Sequence, residues 1–366
     1  MPAGRAHLRW IYGLGILGVL FYAADRFVFP GSAGRSADEA LRASRRMSAA
    51  IEALKSCAAA NGVAVDPSTD LNRTGLIGIE DSPITTSPGQ LEAKRTTVNP
   101  GFAGCILRML AEAGVGRGDA VAIGASSSFP GLIVATLAAV EALGAKPVMI
   151  SSLGASNWGA NNPAFTQLEI LACLRAAGII GIRPAALAVG GEKDDGSDMS
   201  EEGRALAGEK IRASGLPVIE EPDLDSNVRA RMAVYEAGAP GRRIAAFVNI
   251  GGSWANMGVD SSILELRPGL AEVKKIPSSG RRGVIQEMAS RGVPVIHLLF
   301  VRGLAERCGL PWDPVPLPGP DGGGGRPASP LRLAFGLFYI SLFAAALAVF
   351  GRGRRLPDPW SFGVGR

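Results

Sequence analysis

Two rhythms of apolar and polar residues alternate along the middle of the chain. Short, β-branched apolar runs at 120–124 (AVAIG), 147–151 (PVMIS), 185–189 (AALAV), 217–220 (PVIE), 244–250 (IAAFVNI) and 293–299 (VPVIHLL) read as strands. TGLIGIE at 74–80 reads as a further strand ahead of them. Stretches around 102–113, 131–144, 164–177, 200–214, 225–237 and 281–291 carry helical patterns. The alternation predicts an α/β fold, doubly wound about a mainly parallel sheet, over residues 70–313. A helix over 36–62 precedes it, with Leu41, Met47, Ile51 and Leu54 at near-helical spacing, and is expected to be a stalk or a packing helix. SADE at 36–39 reads as its capping box, with Ser36 capping and Glu39 reaching back.

The flanks have a different pattern. Residues 10–24 lack charge and follow Arg5 and Arg9, the layout of a signal anchor or signal peptide; extending the run past Asp25 and Arg26 favours a transmembrane anchor within 1–30. Residues 333–350 are also uncharged and run into Arg352, Arg354 and Arg355, so a second transmembrane helix is expected over 331–350, with a basic cytoplasmic tail at 351–366. The positive-inside rule then places the central domain outside the cytoplasm, the reverse orientation being the alternative. Residues 314–330 (PVPLPGPDGGGGRPASP) read as a flexible Pro/Gly linker. A cell-membrane protein with two transmembrane helices is the expectation.

Composition narrows the chemistry. The net charge of +5 comes from arginines that are dispersed or crowded at the termini, without the aromatic-interleaved basic stripe of a nucleic-acid surface, so no nucleic acid is expected as partner. Two histidines, His7 and His297, exclude a multi-histidine metal centre, and the four cysteines form no CxxC pair; no metal and no cofactor are expected. Those cysteines read as buried thiols, with one or two disulfides open if the domain lies in an oxidising compartment. No G-x-G-x-x-G follows a strand, which disfavours a dinucleotide site.

Parallel sheets bind ligands beyond the carboxyl ends of their strands. Three such segments, ASSSFPG after the second strand, SSLGASNWGANNP after the third and GGSWANMG after 244–250, are built from Gly, Ala, Ser and Asn. Small residues let backbone N–H groups approach a ligand, and hydroxyls and amides add neutral hydrogen bonds, a lining suited to carboxylate or phosphate. The alternative is that such residues only build tight turns. The loop 79–102 carries Glu80, Thr85, Thr86, Lys94 and Arg95 and would set cationic charge beside the site if it folds over the others. A nucleophile elbow needs G-x-S-x-G; Gly124 to Ser128 has the first glycine and lacks the last.

The stretches GLIGIEDSPITTSPGQLEAKRTTVNPGFA, AIGASSSFPGLIVATLAAVEALGAKPVMISSLGASNWGANNP, FVNIGGSWANMG, GVPVIHLL and LPWDPVPLPG together resemble the bacterial poly-γ-glutamate system protein family, over roughly residues 70–320. That family accompanies the ligase and membrane subunits that make and export poly-γ-glutamate. The resemblance implies a membrane-associated accessory protein of capsule-type polymer synthesis, with the polymer and the membrane subunits of its synthase as partners. It carries no reaction and no catalytic residue with it.

Two readings follow. In the first, Ser126, Ser127, Ser128, Ser152, Ser156, Asn157, Gly251, Gly252, Ser253 and Asn256 contact an acidic polymer, with Glu80, Thr85 and Thr86 nearby and Lys94 and Arg95 as charge partners. In the second, Ser126 is the nucleophile and His297 the base of a hydrolase or transferase acting on the γ-glutamyl polymer, with an acid such as Asp260 completing the set. His297 lies inside an apolar strand pattern, which reads first as a core histidine.

Overall fold

The computed structural model of the chain describes residues 13, 15–22, 24, 32–322 and 330–352. It forms two compact units, Ser36–Gly325 and a second composed of Met1–Arg35 with Arg326–Arg366.

The larger unit is organised by strands β1 (Ala120–Ala125), β2 (Lys146–Ser152), β5 (Ala186–Ala188), β6 (Val218–Ile219), β7 (Ile244–Ile250), β8 (Gly269–Ala271) and β9 (Val295–Leu298), with a separate two-stranded ribbon of β3 (Asn161–Asn162) and β4 (Phe165–Thr166). The main sheet runs in the order β6-β5-β2-β1-β7-β9-β8. Every neighbouring pair in it is parallel except β8 on β9. The α/β class and mainly parallel sheet thus follow the sequence pattern, whereas the short edge strand β8 has no counterpart in it.

Side chains of successive strand residues leave the sheet on opposite faces, and the two cores divide accordingly. Val121, Ile123 and Val248 pack with Met47, Leu54, Phe102, Ile106, Leu132 and Leu137. Ala120, Ala122, Phe247 and Val295 pack with Val228, Met232, Tyr235, Val284 and Met288. Helix Pro130–Ala142 is buried on nearly every side, which explains its uniformly apolar sequence. The packing role proposed for 36–62 is the one seen: Met47, Ala50 and Leu54 of helix Ser32–Ala60 are fully buried.

Four expectations are corrected. Residues 74–80 join no sheet; Gly78 N–H donates to Trp158 O (3.1 Å) and Trp158 N–H to Ile79 O (2.9 Å), so a loop supplies the partner. Gly78 fits there because a Cβ would meet Gly159 O at 1.8 Å. Ser36 and Glu39 form no capping box, because their helix already begins at Ser32. Residues 314–322 are not a free tether: Asn72 Nδ2 donates to Pro314 O (2.9 Å), Leu317 N–H donates to Asn72 Oδ1 (3.0 Å) and Arg45 pairs with Asp321. Residues 323–329 of that segment, 1–12, 14, 23 and 25–30 of the anchor and 353–366 of the tail lie outside the described residues.

The fourth correction concerns the membrane. Among the described residues no helix is long and apolar enough to cross one, which overturns the two transmembrane helices and the membrane localisation drawn from them. A span needs about 20 consecutive apolar residues, which no helix among the described residues supplies. Within this unit Phe21 stacks on Phe335 and Tyr339, with ring centroids 5.1 and 3.9 Å apart.

The four cysteines pair. Cys57–Cys173 ties helix Ser32–Ala60 to helix Gln167–Ala176, and Cys105–Cys308 ties Gly101–Glu112 to Val301–Cys308.

Candidate functional site

Strand order reverses at β1, with β2, β5 and β6 on one side and β7, β9 and β8 on the other. A cavity of about 600 Å³ opens where a doubly wound sheet places its ligands, beyond the carboxyl ends of β1, β2, β5 and β7. The three small-residue segments converge there: Ser126 and Ser128 follow β1, Ser152 ends β2 and Ser156 follows it, and Gly252, Ser253 and Asn256 follow β7.

Loop 79–102 supplies the far wall, with Leu91–Thr97 of it folded as a short helix. Lys94 projects from this helix, 3% exposed, and its Nζ donates to Ser128 O (2.6 Å) and Ser156 Oγ (2.7 Å) while lying 3.9 Å from the Phe129 ring centroid. No carboxylate lies within ion-pair distance of it among the described residues. Burial without a countercharge pushes the Lys94 ammonium down to about 7, because the charged form loses water and gains no opposite charge. Gly89 makes this packing possible: a Cβ there would press on Asn157 O, Lys94 Cε and Ser156 Oγ.

The serines divide by role. Ser127 is fully buried and its Oγ donates to Ser152 O, so it builds the turn. Ser126 Oγ donates to Ser128 Oγ (3.0 Å), which also accepts from the Ser156 N–H (3.0 Å). Ser152 Oγ donates to Gly154 O (3.0 Å). Asn256 packs its amide against Gly124, where a Cβ would meet Asn256 Nδ2 at 2.5 Å. Its Oδ1 is buried without a hydrogen-bond partner, the condition of an acceptor awaiting a donor.

Other candidates lie elsewhere. Arg95 turns away from Lys94 and grips Asp313 through two bonds, Nε–Oδ1 (2.7 Å) and Nη2–Oδ2 (2.5 Å), so its charge is engaged there. Thr86 lines the cavity; Thr85 does not, its Oγ1 accepting from Ser82 N–H and Asn161 Nδ2. Asn157 braces the loops, accepting from Gly89 N–H and donating to Glu80 O, while Glu80 faces a separate cavity. Gly251, with φ of +92°, sits directly under Ser126.

His297 hydrogen-bonds Asn249 across β9 and β7 (Nδ1 to Nδ2, 3.0 Å) rather than any serine. Burial pushes its imidazole down to about 4. Asp260 caps a 3-10 turn through Ser262 and pairs with Lys275 and Arg281, and it does not line the cavity. The triad order suggested by the sequence is therefore not assembled around Ser126.

Several lining residues escaped the sequence reading. Gly190, Gly191, Glu192, Asp194 and Asp198 come from the loop after β5, to which the strand-end rule applies equally. Asp194 and Arg231 form a buried ion pair on this wall, with Asn227 bonded to both. Phe300, Arg302 and Trp312 close the other side, Arg302 lying over Trp312 at 4.4 Å. Phe300 is 65% exposed with φ of +60°, a left-handed conformation that costs a bulky residue strain and is found disproportionately at ligand sites. Among the described residues no group of His, Cys, Asp and Glu could hold a metal ion.

No protein-family model, curated protein or solved structure matches the chain.

Proposed function

We propose that the chain binds a γ-glutamyl polymer, with the cavity beyond β1, β2, β5 and β7 as its site. The observation that carries this reading is the meeting of three separate Gly/Ser/Asn segments with Lys94 and Arg302 around one cavity. Each polymer unit presents a carboxylate, an amide N–H and a carbonyl. Hydroxyls and the two cations suit the first, the acceptors Glu192 and Asn256 Oδ1, the latter without a partner among the described residues, suit the second, and the rim aromatics Phe300 and Trp312 suit the methylene spacers. The sequence resemblance to the poly-γ-glutamate system family supports the same ligand class.

Titration calorimetry of the full chain with γ-glutamate oligomers tests the reading. Binding is expected at low salt and weakens as ionic strength screens the cations. Arg302→Ala is expected to lower affinity further. Absence of heat at low salt, or equal affinity for a neutral polyglutamine chain, overturns it.

A further inference from the structure

We propose that Ser156 and Lys94 form a serine–lysine pair that opens a γ-glutamyl amide held in the cavity, an activity that rests on the binding reading above. The pair differs from Ser126 and His297 in both nucleophile and base. It is built by geometry: Lys94 Nζ lies 2.7 Å from Ser156 Oγ and is its sole hydrogen-bond partner among the described residues. A neutral amine has two N–H donors and one lone pair. Ser128 O, only an acceptor, takes an N–H at 2.6 Å, and the Phe129 ring face 3.9 Å away takes the other. Once the ammonium that donates to Ser156 Oγ has lost its proton, the lone pair is left for the Ser156 hydroxyl and the bond reverses.

Three observations support a reactive rather than a structural pair. A buried lysine kept for stability is ordinarily matched by a carboxylate, and Lys94 has only neutral oxygens. Its lowered pKa leaves a substantial uncharged fraction at neutral pH, the condition for a general base. Independently, Asn256 lines the same cavity, 3% exposed, with Oδ1 unpartnered, a polar group left for the bound chain rather than for the fold.

The step balances without a cofactor. Lys94 Nζ takes the Ser156 Oγ proton as Oγ bonds to the γ-carbonyl carbon. The tetrahedral adduct collapses, the C–N bond breaks, and the leaving amine takes the proton from the Lys94 ammonium, leaving an ester on Ser156. Water then gives a proton to Lys94 and its oxygen to the carbonyl carbon; the ester C–O bond breaks and Ser156 Oγ recovers the proton. With the amine of a second chain in place of water, the same cycle transfers the acyl group.

The test uses the full chain with γ-glutamyl p-nitroanilide and with poly-γ-glutamate, reading nitroaniline release, chain length by size exclusion, and acid-quenched mass mapping. Expected are release or shortening, a rate rising with pH through about 7 as Lys94 loses its proton, and a glutamyl adduct on the peptide bearing Ser156. Ser156→Ala and Lys94→Arg are expected to lower the rate about a hundredfold or more, with Lys94→Arg still binding the polymer. His297→Gln is expected to stay within about threefold, since it touches no reacting group. If Lys94→Arg does not fold, the adduct on wild-type Ser156 decides alone: its appearance supports the pair and its absence overturns it. Polymer binding with neither release nor shortening overturns the pair and leaves the binding reading standing; no binding at all defeats both.

Discussion

Arg231 and Lys94 are both buried cations on the wall of one cavity, and they are solved in opposite ways. Arg231 meets Asp194 in a buried ion pair and is steadied by Asn227, so the charge of each side chain is answered within the protein. Lys94 is just as deeply placed but receives only a carbonyl, a hydroxyl and an aromatic face. The first arrangement keeps its charge at any physiological pH and holds the β5 loop against helix Leu224–Ala237. The second leaves the ammonium poorly solvated, so its charge responds to whatever enters the cavity. Two cations of similar depth are told apart here by their partners.

Removing one member of the matched pair has the largest expected effect. Asp194→Ala strands the Arg231 charge and should cost about 3–5 kcal/mol in urea unfolding, whereas the matched loss at Lys94 should not destabilise at all. Equal costs at the two sites would erase the distinction.

His297 is a third buried base with a neutral partner, Asn249, and sharpens the comparison through pH. Its folded pKa is depressed to about 4 from a reference near 6.5, so its contribution is present above 6.5 and lost as pH falls toward 4. Wild type should lose about 2 kcal/mol more than His297→Gln across that window, read as the difference in melting curves.

Carboxylate capture should follow the Lys94 charge with the opposite consequence to catalysis. Lys94 is protonated below about 7, so affinity for γ-glutamate oligomers should fall about tenfold, roughly 1.4 kcal/mol, between pH 6 and pH 8, and Lys94→Met should flatten the profile. A flat wild-type profile would show that Lys94 does not meet the ligand. The smallest effect is on stability: Lys94→Met should gain about 1 kcal/mol at pH 7, as replacing a buried unmatched cation usually does where function set the residue.

Strands β1, β2, β7 and β9 and the helices between them were legible in the sequence because each is a run buried on both faces, bounded by Gly or Pro. The convergence of Ser126, Ser152 and Ser253 followed from those strands, since parallel ends share one rim. TGLIGIE misled because its alternation is a local property, while strand pairing depends on which backbone lies opposite; the loop at Trp158 does. Lys94 could be named but not placed. Its partners Ser128 and Ser156 are 34 and 62 residues away, and helix Leu91–Thr97 is too short to leave a periodic signature that would separate the faces of Lys94 and Arg95. The wall of Phe300, Arg302 and Trp312 was equally hidden, because contacts distant in sequence, among them the Cys105–Cys308 bridge and the Arg95–Asp313 pair, bring that distal stretch back to the rim.

The Cys105–Cys308 bridge sits where that wall meets the core. Cys308 closes helix Val301–Cys308, which starts just after Phe300, and its bond to Cys105 pins that helix from within the core that packs on the sheet, beneath the cavity rim. Reducing that bond would free the distal helix from Gly101–Glu112 without breaking any strand pairing, so loosening would begin at the cavity's edge and not in the sheet.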